Sequence, residues 1–173
     1  YFKNLKFQLG LRYEYFDYDA FLYADREHNI NVEPEGFFIY YGLAHVETFD
    51  KRYYPTRGSS LKVDYSFYTD NFVNYNGGTP FSALGVDFTS VISITRRVKM
   101  LPSIYGRILI GKNVAYPYMN AMGGEVAGRY VAQQLPFYGI QNLEQFENSL
   151  VVAKLHFRYR LGMNHYVSLI GNY

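Results

Sequence analysis

Polar and apolar side chains alternate along residues 150–161. Lys154, His156, Arg158 and Arg160 occupy every second position, and apolar residues fill the positions between them. A period of two predicts a β-strand, because successive side chains of a strand point to opposite faces. For one strand alone, an apolar face in the core of a soluble sandwich is the ordinary interpretation. The other segments must decide between that core and a face turned to lipid.

The same period returns along most of the chain, although it is weaker at 37–49 and at 165–173. The predicted strands are 4–18, 36–51, 59–71, 80–95, 98–111, 147–161 and 165–173. Several of them reach ten residues or more, which is long for a soluble sheet and close to what a tilted strand needs to cross a bilayer. The chain is therefore predicted to be all-β, with about seven strands.

The predicted connections alternate in length. Those at 52–58, 96–97 and 162–164 are short, and those at 19–35, 71–80 and 112–146 are long. Outer-membrane barrels have tight periplasmic turns on one rim and longer extracellular loops on the other. Tyrosine and phenylalanine also gather at strand ends, as they do in interfacial girdles. These features predict an antiparallel transmembrane β-barrel of the outer-membrane type, with a soluble barrel or sandwich as the alternative.

A barrel assigns each strand face to a solvent. The apolar rows face lipid, because a charge facing lipid at mid-bilayer costs about 2–4 kcal/mol. The predicted lumen-facing residues include Arg107, Lys154, His156, Arg158 and Arg160. An odd count of seven strands also predicts a fragment of a longer protein, in which the 4–18 strand does not pair with the 165–173 strand.

Composition and charge exclude several other functions. There is no Cys in the 173 residues, which excludes a disulfide scaffold and a thiolate metal site. A net charge of +2 is too small to indicate a nucleic-acid partner. The four histidines have no metal-ligand spacing, and no Gly-x-Ser-x-Gly turn is present. We therefore expect no cofactor, no metal and no catalytic residue in this segment.

Two stretches carry a family resemblance. YYPTRGSSLKVDY at 53–65 resembles the Pro-Thr-x-Gly turn of the BamA-like bacterial surface antigen superfamily, and 120–141 resembles its long lid loop. The resemblance implies a barrel of sixteen strands in the bacterial cell outer membrane, in contact with outer-membrane lipid and lipopolysaccharide. Residues 1–173 are then the C-terminal part of the barrel domain, with a lid-like loop at 112–146.

A narrower resemblance lies within the loop. GRYVAQQLPFYG at 128–139 is similar to the barrel attached to patatin-like phospholipases of Bacteroidetes. The superfamily's Arg-Gly-aromatic lid tip is replaced here by Phe137, Tyr138 and Gly139, and the nearest arginine is Arg129. This departure favours the patatin-linked branch over an assembly machine.

The resemblance leaves three functions open. The barrel anchors, and conveys outward, an upstream patatin-like lipase that acts on lipid; or it is an insertase or secretion barrel for a passenger polypeptide; or it is a porin or adhesion barrel. The sequence upstream of Tyr1 would discriminate among them, since only the first requires a Gly-x-Ser-x-Gly domain.

The long loop has the composition of an ordered segment, because its apolar cluster is unfavourable in water. The predicted lid residues are Gly123, Gly124, Arg129, Gln133, Gln134, Phe137 and Gly139. We expect the loop to fold into the lumen and to place 129–139 against the basic positions of 150–161, with the glutamine amides among the acceptors. The alternative is an external loop packed over the rim.

Overall fold

A computed structural model describes residues 4–17, 35–71, 80–112, 114–126, 128, 132–163 and 165–173. Within them the elements are β1 (Leu5–Phe16), β2 (Glu35–Glu47), β3 (Gly58–Thr69), β4 (Phe81–Ser93), β5 (Val98–Ile110), the 3₁₀ turn η1 (Tyr116–Tyr118), β6 (Asn120–Met122), β7 (Gln134–Leu135), β8 (Gln145–Glu147), β9 (Ser149–Arg160) and β10 (Tyr166–Asn172). The predicted long strands are confirmed, with their ends shifted by a few residues. No helix in the described ranges is long and apolar enough to cross a membrane.

The long strands form one antiparallel sheet of seven strands in the order β1-β2-β3-β4-β5-β9-β10. Each pairs with its neighbour in the chain, except that β5 pairs with β9 across the long loop. β1 and β10 lie at the two edges and do not pair with each other within the described residues, as predicted. A small sheet, β7-β6-β8, lies inside the long loop.

Antiparallel order places the β2–β3, β4–β5 and β9–β10 connections on one rim and the long connections on the other. A hydrogen bond of 2.9 Å from Ser93 Oγ, at the end of β4, to Thr56 O joins the β4–β5 end of the sheet to the β2–β3 connection. The predicted separation of short turns from long loops is confirmed. The connection at 48–57, called here the β2–β3 turn, is longer than predicted, because β2 ends at Glu47.

One face of the sheet, called here the outer face, exposes large apolar side chains. On β1, Phe7 and Leu9 are 68% and 70% exposed. Apolar rows of this extent are unfavourable in water and are typical of the lipid-facing side of a transmembrane barrel.

The opposite face, called here the inner face, is partly aromatic. Phe37, Ile39, Tyr68 and Phe81 are buried there, and Tyr118 of the long loop packs among them. The rings of Phe37 and Tyr118 meet edge to face at 4.9 Å, and those of Tyr68 and Phe81 stack at 4.7 Å. This cluster was not predicted from the sequence, whose alternation placed basic residues on this face.

Candidate functional site

The loop at 112–146, called here the interior loop, lies over the inner face and reaches both edges of the sheet. At one edge, Tyr118 Oη donates a hydrogen bond of 2.6 Å to Glu14 Oε2 on β1. At the other edge, Tyr138 N donates to Asn172 Oδ1 on β10 at 2.9 Å, and Asn172 Nδ2 donates to Tyr138 O at 3.3 Å. The loop therefore spans the whole sheet rather than packing over a rim.

Arg107 and Asn120 form the central anchor of the loop. Arg107 Nη1 donates to Asn120 Oδ1 at 2.5 Å and to Tyr118 O at 3.0 Å. Asn120, which is fully buried, donates in return to Arg107 O at 2.9 Å and to Asn148 O at 3.0 Å. Every polar atom of this buried amide has a partner, and the anchor holds this part of the loop against the sheet.

Two glycines lie where the interior loop approaches itself most closely. Gly123 and Gly124 have φ of 133° and 76°, in the region that side chains disfavour. A Cβ on Gly123 would overlap the carbonyl oxygen of Gln141, and one on Gly124 would overlap the amide oxygen of Asn142. The Gly-Gly pair is therefore required by the close approach of the chain to itself.

Several predicted lid residues bind within the loop. Phe137 N donates to Gly124 O at 2.8 Å, and Gln134 Nε2 donates to Gly123 O at 2.7 Å. Gln133 Nε2 donates to Pro117 O. In these bonds the glutamine Nε2 atoms donate within the loop. The expectation that the amide oxygens accept hydrogen bonds from the basic positions of β9 stays a prediction.

Two other predicted lid residues stand apart from this internal structure. Gly139 is exposed and has a φ of 97°. Arg129 lies outside the described residues.

The basic residues of β9 (Lys154, His156, Arg158 and Arg160) lie on the inner face but have different partners. Lys154 Nζ lies 4.9 Å from the ring centre of Tyr105 and 5.9 Å from that of Tyr138, the loop tip. His156 Nε2 lies 2.9 Å from Ser168 Oγ on β10. Arg160 is exposed at the short-turn rim. The sequence predicted that 129–139 lies against these basic positions. Among the described residues of that segment, Tyr138 lies beside Lys154.

Arg158 binds the β2–β3 turn at the inner face of the sheet. It is only 5% exposed, and its guanidinium lies 5.5 Å from the ring centre of Tyr54 and 5.7 Å from that of Tyr166. The two rings stack at 4.5 Å, and Arg158 also donates to Pro55 O. β4 and β5 lie between β3 and β9 in the sheet, so the turn passes across the inner face of both strands to reach β9. It therefore covers part of the inner face at this rim. This contact is not predictable from the alternation of β9.

A cavity of about 740 Å³ lies between the sheet and the interior loop. Charges of both signs line it, and two ion pairs lie along its wall, Arg12–Glu14 at 2.8 Å and Lys62–Asp64 at 3.9 Å. Burial, followed by the hydrogen bond to Glu14, raises the pKa of Tyr118 well above its usual value. Tyr118 therefore keeps its proton and can donate this hydrogen bond at neutral pH.

A Ser–His–Glu group on β2 and β3 lacks the geometry of a catalytic triad. His45 Nε2 lies 3.0 Å from Ser60 Oγ, and the same nitrogen lies 3.8 Å from Glu47 Oε2. A triad requires the acid on the other ring nitrogen, where it orients the base. We therefore interpret these three side chains as polar contacts between neighbouring positions of β2 and β3, and not as a catalytic group.

Comparisons with known proteins agree with the architecture. A family model described as the OMP85 superfamily matches residues 1–173. No curated protein and no solved structure matches the chain. The family match supports the broader resemblance, to the BamA-like superfamily, and together with the all-β fold it implies a bacterial outer-membrane protein whose inner face lines the barrel lumen.

Proposed function

Since the chain belongs to the OMP85 superfamily, we propose that its barrel handles polypeptides at the outer membrane, and that the interior loop must be displaced for a polypeptide to enter the lumen. Under this proposal residues 1–173 are the C-terminal part of the barrel domain. The observation that carries it is the reach of the loop from Glu14 at one edge of the sheet to Asn172 at the other.

The chemistry of the two end anchors supports a displaceable loop. Both are hydrogen bonds, and a typical intramolecular hydrogen bond contributes only about 0.5–1.5 kcal/mol net, or about 1.5–3 when one partner is charged. The polar backbone of an incoming polypeptide offers the same donors and acceptors to Glu14 and Asn172. The loop can therefore exchange the hydrogen bonds at its two ends for bonds to a passenger at small net cost. Its full displacement must also break the Arg107–Asn120 anchor and the packing of Tyr118.

A disulfide between the loop tip and β10 tests the proposal. Tyr138→Cys and Asn172→Cys are introduced together in the full-length protein, since the backbone of Tyr138 and the side chain of Asn172 are in direct contact. The probe is a urea-unfolded eight-stranded outer-membrane barrel, whose insertion into proteoliposomes is followed by its gel-mobility shift. Oxidation should lower the insertion rate to that of empty liposomes, and reduction should restore it.

The matched control carries serine at both positions. It loses the same native contacts but forms no bridge, so its rate should not respond to oxidant. An oxidised cysteine pair that inserts the probe as fast as the reduced pair would overturn the role of the loop. Unmodified protein that inserts no faster than empty liposomes would overturn the function.

A second candidate function is the anchoring and outward transport of an upstream patatin-like lipase. The loop tip favours it, because the tip carries Phe137, Tyr138 and Gly139 where assembly barrels of the superfamily carry an Arg-Gly-aromatic motif. The tip binds Asn172 through the backbone of Tyr138 and not through an arginine side chain. Its partners would be outer-membrane lipid and lipopolysaccharide, with lipid as the substrate. Intact cells that produce the full-length protein should hydrolyse an added fluorogenic phospholipid, and a rate equal to that of cells lacking the protein would exclude this function.

A further inference from the structure

The small net charge conceals a separation of charge between the two rims. The short connections carry Lys51, Arg52, Arg57, Arg96 and Arg97 against the single carboxylate of Asp50. The described parts of the long connections carry Asp17, Asp70, Glu125 and Glu144 against Lys112. We call the first set of connections the basic rim.

The cations of the basic rim have no acidic partner among the described residues. The carboxylate of Asp50 is already engaged within the β2–β3 turn, where it accepts hydrogen bonds of 2.8 Å and 3.2 Å from the amides of Thr56 and Arg57. The ion pairs found in the described part of the chain lie on β1, β2 and β3. The five cationic side chains are exposed, and their mutual repulsion falls when an external anion binds.

The basic rim lies at the end of the lipid-facing surface. Ile94 and Leu161 continue the outer apolar rows to this rim and are 53% and 61% exposed. Arg96 and Arg97 follow Ile94 in the β4–β5 connection, with Thr95 between them. Short turns of outer-membrane barrels face the periplasm, so these guanidinium groups lie level with the headgroups of the periplasmic leaflet.

We propose that the basic rim binds the phosphate groups of anionic phospholipids in the periplasmic leaflet, chiefly through Arg96 and Arg97. Guanidinium groups bind phosphate oxygens with paired, charge-assisted hydrogen bonds. A lipid fits better than an acidic polypeptide, because the apolar side chains beside the cations need acyl chains as neighbours. The proposal concerns the fold's orientation in the membrane and is independent of what the barrel conveys.

Spin-labelled lipids measure this preference directly. The full-length protein is reconstituted in phosphatidylcholine, and the association of spin-labelled phosphatidylglycerol is compared with that of spin-labelled phosphatidylcholine. We expect phosphatidylglycerol to associate about fivefold more tightly at low salt, the effect of one Lys or Arg near an anionic surface. The preference should shrink in 1 M salt, where the Debye length is about 3 Å.

Substitutions assign the preference to the rim. Arg96→Gln/Arg97→Gln should bring the ratio close to one, whereas Arg57→Gln, in the turn that lies over the inner face, should keep most of the preference. Lys62→Gln/Lys112→Gln removes the same charge from the cavity wall and the opposite rim, and should leave the ratio unchanged. Because the substituted arginines are exposed, their variants should keep the heat-modifiable gel mobility of the folded barrel.

Three results would overturn the proposal. One is a phosphatidylglycerol preference that survives loss of the arginines, and another is an equal loss in the Lys62/Lys112 control, which would reflect net charge alone. The third is oligo-glutamate binding that depends on Arg96 and Arg97 without any lipid preference, which would assign the rim to an acidic polypeptide.

Discussion

Asn120→Ala should release the interior loop from the sheet. The substitution removes the acceptor of the 2.5 Å bond from Arg107, and it leaves two backbone carbonyls without their 2.9 Å and 3.0 Å donor. At the lower end of the usual range, a hydrogen bond contributes a net stability of about 0.5 kcal/mol when both partners are neutral and about 1.5 kcal/mol when one is charged. Two neutral bonds and one charge-assisted bond together give about 2.5 kcal/mol. The population with a displaced loop should therefore rise about 70-fold.

Thiol labelling measures that population. Ala115, a buried loop residue that packs in the aromatic cluster, is replaced by cysteine in otherwise unmodified protein and in Asn120→Ala. When reclosure is faster than labelling, the labelling rate is proportional to the population with the loop displaced. The ratio of the two rates then gives the free-energy change of displacement.

Asn148→Ala is the matched control. Asn148 is exposed and contributes its backbone carbonyl to the anchor, so loss of its side chain should leave the labelling rate unchanged. The reasoning is refuted if Asn120→Ala labels no faster than the parent, or if both alanine variants accelerate labelling equally.

Three further results are expected. Gly124→Ala should raise labelling at the same cysteine, because its Cβ overlaps a neighbouring side chain, whereas Gly171→Ala, with open space around it, should not. Arg158→Gln should loosen the β2–β3 turn by about 1–3 kcal/mol and accelerate tryptic cleavage there, unlike the exposed neighbour Arg160→Gln. The hydroxyl of Thr56, and then its amide, lower the pKa of Asp50 from 3.8 to about 2. The ionised Asp50 therefore stabilises the β2–β3 turn fully above pH 3.8, and this stabilisation is lost as the pH falls through about 2. Hydrogen-exchange protection of the turn amides, corrected for intrinsic rates, should follow that curve and be independent of pH over this range in Asp50→Ala.

The sequence predicted the long strands because their period of two persists for ten residues or more. It did not predict β6, β7 and β8, since strands of two or three residues contain no measurable period. The inner aromatic cluster was also missed, although the run FFIYY at 37–41 gives a signal. One set of alternate residues in it belongs to the apolar outer face, so the apolar Phe37 and Ile39 between them indicate an apolar patch on the inner face.

The basic residues of β9 show the limit of pattern reasoning at the candidate site. Their alternation identifies the face that they share, and the structure places them on the inner face. Their partners come from a turn and a strand that are distant along the chain, as with Pro55 for Arg158. Periodicity carries no information on which segments meet across a lumen, so the aromatic enclosure of that guanidinium could not be predicted from it.

The contacts at the two ends of the interior loop also bear on the order of folding. Glu14 and Tyr118 are 104 residues apart in sequence, and this contact, with that between Tyr138 and Asn172, joins the first and last strands of the sheet to one segment. Contacts between residues so far apart in sequence are expected to form late in folding, after the intervening strands have paired. The interior loop thus ties the first and last strands of the sheet to one segment, so its docking should be among the last steps that complete this part of the fold.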